Sequence, residues 1–304
     1  MFRALLAVGL SAALAGAGAQ EPRFRAETDL VSVRVTVTDR KGGFVTDLAP
    51  ADFEVLEDGR PQAITQFEPG DHGREGELHL GLLLDTSGSM GEDIALARTA
   101  AIRFLNTLAD ATDMTLVDFD TEVRVARYGQ ADFPRLVERI RSRRPSGSTA
   151  LYDALGVYLD GASGGRGRTI LVIFSDGGDT DSSIRFNDVV TLLRASDVTV
   201  YAVGFLEHQP RSVTLEQRGR LERIAAETGG RAFFPSSLAQ IGEAYDLIVR
   251  QIRAQYTLGY TSTNTAPDGT WRKVDVRVRR PGLTGARLEA RKGYFAPFRP
   301  AGVR

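Results

Sequence analysis

The spacing of hydrophobic positions changes twice along the chain and divides it into three stretches. Residues 28–38 alternate, with Val31, Val33, Val35 and Val37 on one side and Ser32, Arg34, Thr36 and Thr38 on the other, which predicts a half-buried strand. After a Lys41-Gly42-Gly43 turn, Phe53 and Val55 and then Ile64 and Phe67 predict a hairpin around Glu57-Asp58-Gly59. A polar, glycine-bearing connector over 69–77 ends this stretch. From residue 78 the pattern differs: residues 78–84, 114–119, 169–174 and 198–204 are apolar runs of strand length. Between them Ile94, Ala97, Ala101, Phe104, Leu105 and Leu108 recur at helical spacing, as do Phe133, Leu136, Val137 and Ile140, and then Leu151, Ala154, Leu155, Tyr158 and Leu159. Further helices are expected over 187–196, 215–227 and 238–253, with a short strand at 231–234. Residues 122–128 follow the preceding strand so closely that they should pair with it antiparallel. Beyond 253 alternation returns in Tyr256, Leu258 and Tyr260, then in Trp271, Val274, Val276 and Val278, and a last strand is expected over 288–295.

Apolar strands that alternate with helices are covered on both faces, so the middle stretch predicts an α/β fold: a doubly wound, mostly parallel sheet with right-handed crossovers. The first and last stretches are all β, and neither is long enough to close a core alone. Pairing them into one small all-β sandwich that flanks or receives the α/β domain avoids exposed edges. The expected division is a β segment over 20–68, the α/β domain over 77–253, and a second β segment over 254–298 that pairs with the first.

Composition narrows the function classes. The 304 residues are 42% hydrophobic and 25% charged with a net charge of −1, so no overall basic charge favours nucleic acid or an anionic membrane. The arginines within 139–144 and 277–280 read as solvated faces. Cysteine is absent, which removes disulfides, thiolate metal sites and a lipid-bearing cysteine. Residues 1–19, from Met1-Phe2-Arg3 through an Ala/Leu/Gly-rich run to Ala17-Gly18-Ala19, read as a signal peptide cleaved before Gln20. No later segment is long and apolar enough to span a bilayer, so an exported protein, periplasmic or extracellular, without a transmembrane segment is expected.

Candidate chemistry concentrates where the first apolar run of the middle stretch ends, at Asp85-Thr86-Ser87-Gly88-Ser89-Met90-Gly91. A strand that hands a polar loop to a helix does so at the carboxyl edge of the sheet, where ligands bind. The spacing Asp85-x-Ser87-x-Ser89 lets three oxygen side chains of one turn converge, and oxygen ligands suit a hard divalent cation. The motif resembles the first part of the metal-ion-dependent adhesion site (MIDAS) of von Willebrand factor type A (VWA) domains. The family's two later elements follow in order, Thr149 in Gly147-Ser148-Thr149-Ala150-Leu151 and Asp176 in Phe174-Ser175-Asp176-Gly177-Gly178. With Asp52-Phe53-Glu54-Val55 ahead and Arg291-Lys292-Gly293-Tyr294-Phe295 behind, the whole is similar to an exported bacterial group of VWA-related proteins.

The resemblance implies a Rossmann-like domain in which Ser87, Ser89 and Thr149 supply hydroxyl ligands while Asp85 and Asp176 hold the ion partly through water. The implied cation is Mg²⁺, with Mn²⁺ or Ca²⁺ as alternatives. Few charged ligands would leave it positive charge and an open position, which an Asp or Glu carboxylate of a partner protein completes. In some members of the family the last helix moves on ligand binding, and the unbroken run through residues 248–256 would transmit such a movement to the β region. Asp179 and Asp181 either add negative potential or cap a helix; Asp118 and Asp120 read as turn residues, and His72, His79 and His208 as surface residues. No Gly-x-Ser-x-Gly elbow, Walker loop or His-Glu-x-x-His occurs, which favours a binding module over an enzyme. A scaffold with a vestigial site and a metal-dependent hydrolase are the alternatives.

Overall fold

The computed structural model describes residues 30–70, 77–108, 111–162 and 167–298; the expected signal segment and His72 lie outside them. Strand β1 (Leu30–Thr38) buries Val31, Val33, Val35 and Val37, as its alternation requires. Strand β2 (Phe53–Glu57) turns through Asp58 and Gly59 into β3 (Arg60–Gln62), and β4 (Ile64–Glu68) follows. The hairpin is therefore shorter than expected. Ile64 and Phe67 belong to β4, which leaves β3 and pairs in the facing sheet, so that Phe67, beside Tyr256 of its own sheet, closes over Phe53 from the other side.

The α/β domain runs β5 (Leu78–Asp85), α1 (Ile94–Thr107), β6 (Asp113–Phe119), β7 (Val123–Gly129), α2 (Phe133–Ser142), α3 (Leu151–Gly161), β8 (Arg168–Ser175), α4 (Phe186–Ala195), β9 (Thr199–Gly204), α5 (Arg211–Glu227), β10 (Ala232–Phe233) and α6 (Leu238–Arg253). Its six strands lie in the order β10-β9-β8-β5-β6-β7, all parallel except β7, which is antiparallel to β6. Leu80, Leu82 and Leu84 of β5 face one layer, with α1, α2 and α6, while Leu83 faces the other, with α3, α4 and α5. Burial of the central strand on both faces explains its unbroken apolar run. Helix α5 starts at Arg211, a turn earlier than expected, because its first turn is exposed and its apolar periodicity is silent there; Leu215 is 75% exposed.

Strands β11 (Tyr256–Thr261), β12 (Trp271–Val278), β13 (Arg287–Ala290) and β14 (Gly293–Phe295) complete the chain. They join the first four strands in two four-stranded sheets, β13-β1-β11-β4 and β14-β12-β2-β3, around Val33, Val35, Val55, Tyr256, Leu258 and Tyr260. The single strand expected over 288–295 is thus two, broken at Arg291-Lys292 and placed in opposite sheets. Glu57, 2% exposed, accepts hydrogen bonds from Tyr260 Oη, Tyr294 Oη (2.9 Å each) and Ser262 Oγ (2.5 Å), so its buried carboxyl is satisfied by hydroxyls from the last, all-β stretch of the chain. The sandwich rests against the amino-terminal edge of the α/β sheet: Arg34 Nη1 donates to Asp197 O (2.7 Å), Gln251 Nε2 to Glu289 Oε2 (2.6 Å), and Arg231 pairs with Glu289. The carboxyl edge is left open. Among the described residues no helix is long and apolar enough to cross a membrane.

Candidate metal centre

Strand β5 delivers Asp85 to the carboxyl edge as its last residue, 0% exposed. Thr86 N and Oγ1 both donate to Phe119 O (2.7 and 2.9 Å), which fixes the following loop against β6. Asp85 Oδ1 accepts from Ser87 N (2.9 Å) and Ser87 Oγ (2.6 Å), and Oδ2 accepts from Ser175 Oγ (2.6 Å). Ser87 Oγ lies 3.0 Å from Ser89 Oγ. With its proton given to Asp85, the Ser87 hydroxyl keeps its lone pairs for another partner.

Two further loops are bonded to the first. Gly88 N donates to Gly147 O (3.0 Å) and Ser146 N to Thr86 O (2.9 Å). Gly147 has φ +73°, and a Cβ there would lie 2.5 Å from Thr121 Oγ1, so the approach depends on glycine. Thr149, 4% exposed, donates through its N to Thr180 Oγ1 (3.0 Å), and its carbonyl accepts from Thr180 N (2.8 Å) and Asp181 N (3.0 Å). Asp176, 1% exposed, accepts from Gly178 N at Oδ1 and from Gln209 Nε2 at Oδ2, both at 2.8 Å. Asp85, Ser87, Ser89, Thr149 and Asp176 therefore lie on three mutually bonded loops at one edge of the sheet.

The chemistry of this donor set fits a cation. Asp85 and Asp176 are buried, and neither has an ion pair with a basic side chain among the described residues. Buried charges are otherwise paired or bound to metal. Burial first, and then the Asp176 carboxylate, push the Asp85 acid up from 3.8 to about 7, against the bonds from Ser175 and Ser87. The set is rich in hydroxyls rather than carboxylates: among the described residues no group of three or more His, Cys, Asp or Glu side chains is placed to hold a metal ion.

Other acidic and basic residues take places that the sequence pattern did not indicate. Asp118 is not a turn residue but a fully buried carboxylate. Arg139 Nε donates to its Oδ1 (2.8 Å), Arg143 Nε lies 2.8 Å from Oδ2 off the hydrogen-bonding line, and Arg124 Nε is at 3.4 Å. Arg139 and Arg143 are thus ion-paired rather than simply solvated. Asp120 does turn the chain, accepting from Glu122 N (2.9 Å), and also pairs with Arg124. Asp179 Oδ1 accepts from Tyr152 N (3.1 Å) and Ser182 Oγ (2.6 Å), tying the third loop to the start of α3. His79 is half-buried with Nδ1 2.9 Å from Asp113 Oδ2, and His208 Nδ1 lies 3.0 Å from Asp93 Oδ1. No histidine touches Ser87 or Ser89 among the described residues. Ser175 and Gln209 were not singled out from the sequence. Ser175 stands visibly beside Asp176, whereas Gln209 comes from the loop after β9 and carries no local signal.

A model of the von Willebrand factor type A domain matches residues 79–247, more than half of the 304 residues. Among solved structures, the conserved hypothetical protein BatB from Bacteroides thetaiotaomicron is 14% identical with a TM-score of 0.46, covering 57% of this chain and 98% of that one. The vWF domain of the type V pili tip protein Mfa5 from Porphyromonas gingivalis is 12% identical with a TM-score of 0.48, covering 58% and 96%. A von Willebrand factor type A structure from Catenulispora acidiphila is 14% identical with a TM-score of 0.48, covering 91% and 76%. A comparison with curated proteins found no match. With the matched residues spanning the six-stranded sheet and its helices, the chain belongs to the von Willebrand factor type A domain family.

Proposed function

We propose that this VWA domain is a divalent-cation-dependent protein-binding module of an exported protein, periplasmic or extracellular. Asp85, Ser87, Ser89, Thr149 and Asp176 hold Mg²⁺, with Mn²⁺ or Ca²⁺ as alternatives, and an Asp or Glu carboxylate of a partner protein completes the coordination. The observation that carries this reading is the pair of buried carboxylates, Asp85 and Asp176, close enough to repel each other and without a basic partner among the described residues, beside the Ser87 and Ser89 hydroxyls. The cation, when bound, supplies a focus of positive charge for that carboxylate. Asp85 orients the Ser87 hydroxyl, Ser175 and Gln209 hold the two carboxylates, and the Thr149 loop is held by backbone bonds to its neighbours. No catalytic role is assigned, since Ser87 Oγ is bonded to a carboxylate and another hydroxyl rather than to an imidazole base. Residues 77–253 form the binding domain, carried on the sandwich that the described residues 30–68 and 254–298 build.

Calorimetric titration of Mg²⁺ and Mn²⁺ into the metal-free protein, beside Asp85→Ala, tests the proposal. Binding should be present in the parent chain and absent in the variant, and capture of an acidic protein partner should be lost in chelator. No heat, together with no thermal stabilisation at millimolar ion, would leave the scaffold alternative instead.

A further inference from the structure

On the face of the sheet under α3, toward the amino-terminal ends of the strands, a cavity of about 350 Å³ opens between helix α3 and the edge strand β7. Its shape follows from Gly81. A Cβ at that position would lie 2.3 Å from the ring and hydroxyl of Tyr158, so only a glycine lets the phenol lie against β5. Tyr158 is 5% exposed and lines the cavity, and its hydroxyl makes no hydrogen bond to a described residue but stays in reach of the solvent in the cavity. A hydroxyl placed in this way is hydrated when the cavity holds no ligand and can donate to an acceptor that displaces that water. Burial, and then the nearby Asp113 carboxylate, hold the phenol well above its ordinary value, and it stays a donor at neutral pH.

The lining adds a second donor and an apolar wall. Arg127 of β7 gives one N–H to Gly161 O (3.0 Å) at the end of α3, which sets its guanidinium at the rim with other N–H groups to spare. Val125 and Val157, 45% and 46% exposed, line the opening from β7 and α3. The carboxylate in the lining, Asp113, is already engaged by His79. The volume is at the small end of the roughly 300–1,000 Å³ that ligand pockets occupy.

We propose that this cavity binds a small carboxylate with an apolar body, of the size of benzoate or isovalerate, whose carboxylate is taken by the Tyr158 hydroxyl and the Arg127 guanidinium and whose body lies against Val125 and Val157. The site is separate from Asp85, which ends the same strand four residues after Gly81, and does not rest on the metal reading.

Saturation-transfer NMR on the full chain, with benzoate and isovalerate as probes and benzamide as the neutral counterpart, tests this. Both acids should bind. Benzamide should bind at least about tenfold more weakly, because a neutral amide forgoes the charge-assisted bond to Arg127. Tyr158→Phe, which keeps the ring, and Arg127→Gln, on the exposed rim, should each weaken benzoate at least about fivefold with an unchanged thermal midpoint, and Asp85→Ala should leave it unaffected. No transfer from either acid at about 10 mM, equal binding of benzamide, or parent-like affinity in both cavity variants would overturn the proposal.

Discussion

Asp85 carries two opposed demands in one side chain. Folding buries its carboxyl beside Asp176, which favours the protonated acid, whereas a bound cation requires the carboxylate. In chelator the sign is determined: an acid raised from 3.8 to about 7 contributes stability that is full below about pH 4 and is lost as pH rises through about 7. The metal-free chain should therefore lose thermal stability between about pH 4 and 7, by at most on the order of 4 kcal/mol, and Asp85→Asn should flatten that slope. Mg²⁺ affinity should run the other way and rise with pH over the same range, which calorimetry at two pH values checks. Asp118 presents the reverse situation, one buried carboxylate among Arg124, Arg139 and Arg143. Asp118→Ala would leave Arg139 and Arg143 without this partner while Asp120 still holds Arg124, and because the guanidinium groups are partly exposed it should cost about 1–3 kcal/mol in a denaturant titration. The five candidate ligands were legible at this scale because their types and order form a motif. Asp118 was not, because its partners come from β7, α2 and the loop after it, and sequence spacing does not report that convergence.

At the scale of elements, apolar periodicity identified the α/β alternation, since strands buried on two faces and helices buried on one leave different spacings. It was less informative where burial is weak. The exposed first turn of α5 carries no stripe, and the β13 and β14 strands, split by Arg291-Lys292, look continuous because both bury residues into one core from opposite sheets. Loops at the carboxyl edge are held in shape by backbone bonds and glycines. Gly177, at φ +80°, would bring a Cβ to 2.9 Å from Leu221 Cγ and 3.0 Å from Gln217 O. Gly177→Ala should cost about 1–3 kcal/mol and displace Asp176, so Mg²⁺ affinity should fall along with the thermal midpoint. An unchanged affinity in that variant would show that the third loop does not set the site.

Across the whole molecule, the sandwich is the part that the chain cannot build in one pass. Strand β11 lies between β1 and β4, and β12 between β14 and β2, so each sheet is completed only by strands from both ends. Removing residues 254–298 should leave 30–68 open to limited proteolysis while 77–253 keeps its sheet, whereas protection of 30–68 in the truncated chain would show that the first half folds alone. Helix α6 ends at Arg253 and β11 starts at Tyr256, so only two residues separate the α/β domain from the centre of one sheet. A partner-induced shift of α6 should therefore change hydrogen exchange in β11, and identical exchange rates with and without partner would separate the two.

What the sequence determined by itself was what local chemistry and periodicity encode: the doubly wound sheet, its all-β flanks, and an ordered set of oxygen-bearing side chains on the loops at its carboxyl edge. Those signals survive in one dimension because residues two, three or four apart share a face. Only the tertiary structure decided which distant groups meet: the switch of β4 between sheets, Gln209 on Asp176, three arginines on Asp118, and the Tyr158 ring lying over Gly81. Each of these depends on chain segments brought together by packing, and the spacing of residues along the chain carries no record of that meeting.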